Sequence, residues 1–138
     1  MGCGNQQSGT SSSDAWLQEC PGDSFCFSRP AALVLQPGQV IDSLVARYRS
    51  DALTLTFDMG RYATSTSHLG DATQELTTID GRPARLLIAG REMMLIVPKV
   101  YEGGSITVQF TMTLRFAGEP SRALAQRIFQ SIQFKPPR

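Results

Sequence analysis

The sequence predicts an antiparallel α+β domain, a sheet of about six strands with one C-terminal helix packed on it. Three observations carry that prediction. Residues 105–116 alternate without a break: Ile106, Val108, Phe110, Met112, Leu114 and Phe116 face one way, while Ser105, Thr107, Gln109, Thr111, Thr113 and Arg115 face the other. Asp80-Gly81, between residues 74–79 and 82–89, is the strongest hairpin signal in the chain, because both residues tolerate the positive φ of a type I′ turn. The period changes only once, after Glu119-Pro120-Ser121, where Leu124, Ala125, Ile128, Phe129 and Ile132 recur at helical spacing.

The remaining elements follow in order. Phe25-Cys26-Phe27-Ser28 reads as a short first strand stopped by Pro30. Pro37-Gly38 is a turn. Residues 41–48 then extend with Leu44, Ala46 and Tyr48 on one side, and the alternation Leu53-Thr54-Leu55-Thr56-Phe57 completes a hairpin through Ser50-Asp51. Residues 58–73 hold two glycines and many hydroxyls without a sustained period, which predicts a long loop. Arg91 and Glu92 make a tight connection after Gly90 into the strand 93–97, which Pro98 ends. The strand 105–116 would span roughly 40 Å at ~3.4 Å per residue; it is expected to be the sheet's spine, with one wet or loosely covered face. Ile132-Gln133-Phe134 is either the last helical turn or a closing strand. A small antiparallel barrel plugged by the helix is the alternative architecture.

The chain of 138 residues, 41% hydrophobic, suffices for one ordinary core. Thirteen basic and twelve acidic residues, scattered and summing to +1, provide no basic stripe to follow a phosphate backbone, so nucleic acid is not an expected partner. The longest apolar stretches, such as residues 93–97, fall far short of the ~20 residues of a membrane-spanning helix. Cys20 and Cys26 bracket Pro21-Gly22-Asp23-Ser24-Phe25, a turn-forming segment that lets the two sulfurs meet, so a local disulfide is expected; the alternative is a pair of reduced thiols in a cytosolic chain. A metal site is not expected there, since only His68 and Cys3 remain as further soft ligands.

Residues 1–14 read as a tether and residues 15–138 as the domain. The tract after Asn5, Gln6-Gln7-Ser8-Gly9-Thr10-Ser11-Ser12-Ser13, has no apolar side chain to bury. Gly2-Cys3 with small polar residues after it resembles the end of a bacterial lipoprotein signal, in which Cys3 carries the acyl chains. This reading requires that the signal has been removed and Met1 supplied as a start. Met1-Gly2-Cys3 also opens myristoylated and palmitoylated proteins, although their sixth residue is usually Ser or Thr and here is Gln6. The third reading is an incidental thiol. A surplus of Arg over Lys agrees with a bacterial source.

Candidates for chemistry are few. His68, the single histidine, adjoins Ser67, which points the other way in extended chain, so the two make no nucleophile and base pair. The carboxylates Asp42, Asp51, Asp58, Asp71 and Asp80 stand at expected turns, where aspartate bonds backbone. No calcium loop, phosphate-cradling glycine motif or GxSxG elbow is present. The Met93-Met94 pair and Met112 read as core filler. Asp58-Met59-Gly60-Arg61-Tyr62 is the one candidate ligand segment: Asp58, Arg61 and Tyr62 at a loop mouth would recognise a polar ligand, or equally Arg61 pairs with Asp58 while Tyr62 packs on the rim. No catalytic residue, cofactor or metal is assigned.

Ser24-Phe25-Cys26-Phe27-Ser28-Arg29-Pro30 at the front and the segment Ile128 to Phe134 at the back resemble the PsbP-like family, between about Ser24 and Phe134. The resemblance implies a curved antiparallel sheet flanked by helices, and many bacterial members are lipoproteins without assigned activity. The middle of the chain matches no motif of the photosynthetic members, so a photosystem role does not carry over. The function expected is a non-enzymatic, lipid-anchored module on the periplasmic side of the bacterial envelope, with an envelope protein as partner. The alternative is an inhibitor or immunity-type partner of a secreted enzyme.

Overall fold

The computed structural model describes residues 15–37, 44–60, 71–101 and 107–136. In chain order these form β1 (Trp16–Glu19), a short 3-10 turn (Pro21–Asp23), β2 (Phe25–Pro30), β3 (Val34–Leu35), β4 (Leu44–Arg49), β5 (Leu53–Gly60), β6 (Thr73–Ile79), β7 (Arg82–Ala89), β8 (Glu92–Val97), β9 (Gln109–Phe116), α1 (Arg122–Gln130) and β10 (Gln133–Phe134). The strands pair antiparallel throughout. Seven make a large sheet in the order β3-β4-β5-β9-β8-β7-β6, and three make a small one, β10-β2-β1.

The α+β class and the antiparallel pairing are as the pattern predicts. The single sheet of about six strands is corrected to two sheets, and the barrel alternative fails because β3 and β6 are open edges of the large sheet. Pattern reading misses the small sheet for a physical reason. Strand β2 and, as one alternative, β10 are read from sequence, but β1 is not, and the pairing of β10 with β2 joins the two ends of the domain, which no local pattern encodes.

The strongest signals correspond to real elements. β9 lies fourth of seven, between β5 and β8, and is the spine, although it begins at Gln109 rather than Ser105. β7 spans Arg82–Ala89, and the turn before it has φ of 49° at Asp80 and 79° at Gly81, the left-handed pair that a type I′ turn requires. The hairpin of β4 and β5 forms through Ser50-Asp51, with Tyr48 buried and Ala46 packed against the core. Glu92 belongs to β8 rather than to the connection before it. Helix α1 starts at Arg122, and Ser121 caps it by accepting a hydrogen bond from the Leu124 amide at 3.2 Å.

One face of the large sheet makes the core. Leu53, Leu55, Phe57 and Met59 of β5 and Phe110, Met112, Leu114 and Phe116 of β9 are buried there, under Ala125, Ile128 and Phe129 of α1 and under Phe25 and Phe27 of β2. Phe25 sits at the centre. Its ring meets Phe57 at 5.0 Å and Phe110 at 4.9 Å, both edge to face, which is the geometry that ring quadrupoles favour. Both Met93 and Met112 are core residues, while Met94 joins Leu87 and Ile96 in a small apolar cluster on the opposite face.

Four contacts fasten the small sheet. Cys20 and Cys26 form a disulfide, with their Cα atoms 4.0 Å apart, closing the 3-10 turn. The Asp80 carboxylate accepts from the Phe134 amide at 2.9 Å, tying the β6–β7 turn to β10, while Arg82 lies over the Phe134 ring at 4.9 Å. Arg127 of α1 stacks on Trp16 of β1 at 3.8 Å. Replacing both cysteines by serine should cost about 2 kcal/mol, since so short a closed loop removes little unfolded-state entropy. In thermal unfolding that is a fall on the order of 5–10 °C, with an unchanged folded-state spectrum.

Where β1, β2 and β4 meet, a polar cluster is built into the seam. The Arg29 guanidinium donates to Glu19 at 2.7 Å and to the Leu33 carbonyl at 2.5 Å, and lies 5.2 Å from the Tyr48 ring centre. Tyr48 donates its hydroxyl proton to the second Glu19 oxygen at 3.3 Å. Burial, then the Glu19 charge and its hydrogen bond, push the Tyr48 hydroxyl from 10.0 up to about 12. The folded protein therefore holds that proton where the unfolded chain has released it. The associated stability is complete below pH 10 and is lost as pH rises from 10 to about 12. Urea titrations across that window should show the slope, and Tyr48→Phe should flatten it.

Candidate functional site: a threonine-floored trough

The face of the large sheet opposite the core carries the candidate site. On β5 the inward residues are Leu53, Leu55, Phe57 and Met59, so Thr54, Thr56 and Asp58 point outward. The register then places three rows across four adjacent strands, β4, β5, β9 and β8. Arg49, Thr54, Arg115 and Glu92 make the first row; Arg47, Thr56, Thr113 and Met94 the second; Val45, Asp58, Thr111 and Ile96 the third. Strands lie about 4.8 Å apart, so Arg49 and Arg115 flank Thr54 across about 10 Å.

These rows enclose a trough of about 480 Å³ floored by the hydroxyls of Thr54, Thr56 and Thr113. A second hollow of about 500 Å³ adjoins it beyond β4 and shares Val45, Arg47 and Thr56 with it. On the far wall Arg115, largely exposed, donates to the nearly buried Glu92 at 2.9 Å. The near wall is different. Arg47 and Arg49 are exposed, stand two residues apart on one face of β4, and make no guanidinium hydrogen bond or ion pair with the described residues. Most other arginines are engaged, Arg29 with Glu19, Arg82 with Asp80 and Arg122 with Glu75. The deeper rows are drier, with Thr111 and Ile96 almost fully buried.

The arrangement suits recognition of oxyanions. Guanidinium groups donate in a planar fork that matches a carboxylate or phosphate, and threonine hydroxyls offer both a donor and acceptors. Among the described residues no three His, Cys, Asp or Glu side chains group closely enough to hold a metal ion, and no helix is long and apolar enough to cross a membrane.

Of the candidates read from sequence, Asp58 reaches this site, though by a route that differs from the expectation. It stands within β5, not at a loop mouth, because β9 supplies pairing partners as far as Gln109 opposite Gly60 and Met59 continues the buried alternation. Asp58 lines the trough beside Val45 and Thr111. Arg61, Tyr62, His68 and Cys3 lie outside the described residues, as does the tether 1–14. Cys20 and Cys26 stand apart from the trough, on the small sheet's side.

Sequence reading passes over Arg47, Arg49, Thr54, Thr56, Thr113 and Arg115. A signal for them exists: most outward positions of the alternating strands β4, β5 and β9 are threonine or arginine. What is missing is adjacency, since nothing local says that β5 lies beside β9. Comparison with protein-family models, curated proteins and solved structures found no match for this chain.

Proposed function

We propose that this chain is a non-catalytic binding module of the bacterial cell envelope, held at the membrane by lipid on Cys3, and that the trough is its recognition surface. The observation that carries the binding reading is the open threonine floor between Arg47 on one wall, with Arg49 in the adjoining hollow, and the Arg115–Glu92 pair on the other. Such a surface offers fixed hydrogen-bond partners on rigid strands, which suits selective binding. The disulfide supports an oxidising compartment, and Gly2-Cys3 followed by small polar residues supports the lipid. The PsbP-like order of elements is carried with this reading as a proposal about ancestry of the fold.

The test of the address is the intact mass of the protein expressed in a bacterium from its natural gene context, from membrane and soluble fractions. A membrane-bound product beginning at Cys3, heavier by its acyl chains, is expected. An unmodified soluble product would overturn the envelope reading.

A further inference from the structure

The trough does not stand alone on its side of the sheet. Of the large apolar residues left exposed, Val34 and Val45 stand on this side in β3 and β4, the strands that adjoin or carry Arg47 and Arg49, while Leu35 pairs with the buried Tyr48 and faces the other way. Val34 pairs directly with Arg49, and so shares its face; Val45 lies two residues before Arg47, on that face again. The end of the sheet therefore presents aliphatic and cationic side chains in alternation: Val45, Arg47 and Arg49 along β4, with Val34 across from the last. The helix and the small sheet both cover the other face, and among the described residues nothing pairs the outer edge of β3.

We infer that this corner is the docking face for an acidic segment of a partner protein, one in which aliphatic side chains stand among carboxylates. The inference deepens the binding reading above and rests on it. Two features select that occupant. Carboxylates on the partner meet Arg47 and Arg49, whose forks have no described acid to satisfy them, and reach the Thr56 hydroxyl that the hollow shares with the trough. Aliphatic groups on the partner cover Val34 and Val45, which are 57% and 37% exposed and gain by leaving water. A nucleic acid would satisfy the arginines and leave the aliphatic residues wet. Two adjacent guanidiniums in a chain of net charge +1 are also too few to track a phosphate backbone. Glu92 and Asp58, farther along the trough, set the limit of the acidic contact, because a carboxylate placed there meets like charge.

The experiment is selection of a random peptide library on the purified chain, followed by fluorescence polarisation with the winning peptide. Enriched peptides should carry two or more acidic residues next to aliphatic ones. Arg47→Glu with Arg49→Glu should weaken the winner at least tenfold, and Val34→Ser with Val45→Thr at least threefold. Arg85→Glu with Lys135→Glu makes the same change in net charge elsewhere and should alter binding less than twofold. All three double variants replace exposed or half-buried side chains, and their melting curves verify that each is folded. Enrichment without acidic residues would overturn the inference, as would equal weakening by both charge-reversed pairs. Vesicles of phosphatidylglycerol and phosphatidylethanolamine are run beside the peptide. If they bind with the same dependence on Arg47 and Arg49 while no peptide does, the face reads lipid headgroups and the inference falls. Peptide selection needs no lipid on Cys3, so a soluble, unacylated product in the fractionation test would remove the envelope address without touching this result. Loss of the peptide result with an acylated product would do the reverse.

Discussion

Phe25→Ala is expected to destabilise the fold by about 3–5 kcal/mol, a large share of what a domain of this size possesses. The side chain is fully buried, and it is where the two sheets meet, with Phe57 and Phe110 edge-on to it and Phe27 stacked 5.8 Å away. Alanine removes the ring and leaves a cavity that two β-sheets, each fixed by its own hydrogen bonds, are slow to close. Urea unfolding should show a midpoint lower by about 2 M, given a slope of about 2 kcal/mol per molar for a small protein. Phe25→Leu, which keeps most of the volume, should lose less than half as much. Equal losses for the two variants would mean that aromatic geometry, rather than filled volume, is what the seam requires.

Arg29→Ala should cost about 3 kcal/mol, through a different route. The guanidinium serves Glu19 and the Leu33 carbonyl together, in a place where its side chain is only 12% exposed. Removing it leaves the Leu33 carbonyl and one oxygen of the half-buried Glu19 carboxylate without their donor. Adding Glu19→Gln in that background should restore part of the loss, and the double-mutant cycle measures the coupling. The same variant has a second readout. Arg29 is the one neighbour that draws the Tyr48 hydroxyl downward, so without it the alkaline titration of Tyr48 should move higher still. A purely steric role for Arg29 would leave that titration unmoved. Together the two variants separate packing from charge at one seam.

The legible parts of this fold are those whose cause is local. Asp80 and Gly81 announce their turn because only such residues adopt paired positive φ cheaply. Phe110, Met112 and Leu114 announce β9 because a strand between two neighbours must bury alternate residues. Ser121 and the Leu124, Ala125, Ile128 and Phe129 spacing announce α1. Two strands of the small sheet are read, residues 25–28 outright and residues 132–134 as one of two alternatives; β1 is missed, and so is the sheet itself, since the pairing of β10 with β2 joins the two ends of the domain and leaves no local mark. Asp58 is assigned to a loop from sequence because the glycine and hydroxyl content beyond it suggests an ending, whereas pairing with β9 carries the strand on. The trough is split in the same way. Each outward threonine and arginine can be read from its own strand, but the rows exist only through the register between β4, β5, β9 and β8.

The small sheet gives the chain a particular history as it is made. β10 pairs with β2, and the Ser28 amide donates to the Ser131 hydroxyl across 103 residues of sequence, so the front of the domain is completed by its last few residues. While a ribosome is still adding α1, the phenylalanines of β2 and the core face of the large sheet have no full cover. Contacts of such separation form late and slowly, after the entropy of closing the whole chain has been met. The nascent domain thus stays open until β10 has been made, and a chain cut short after Gly118 should aggregate rather than accumulate as a smaller folded core.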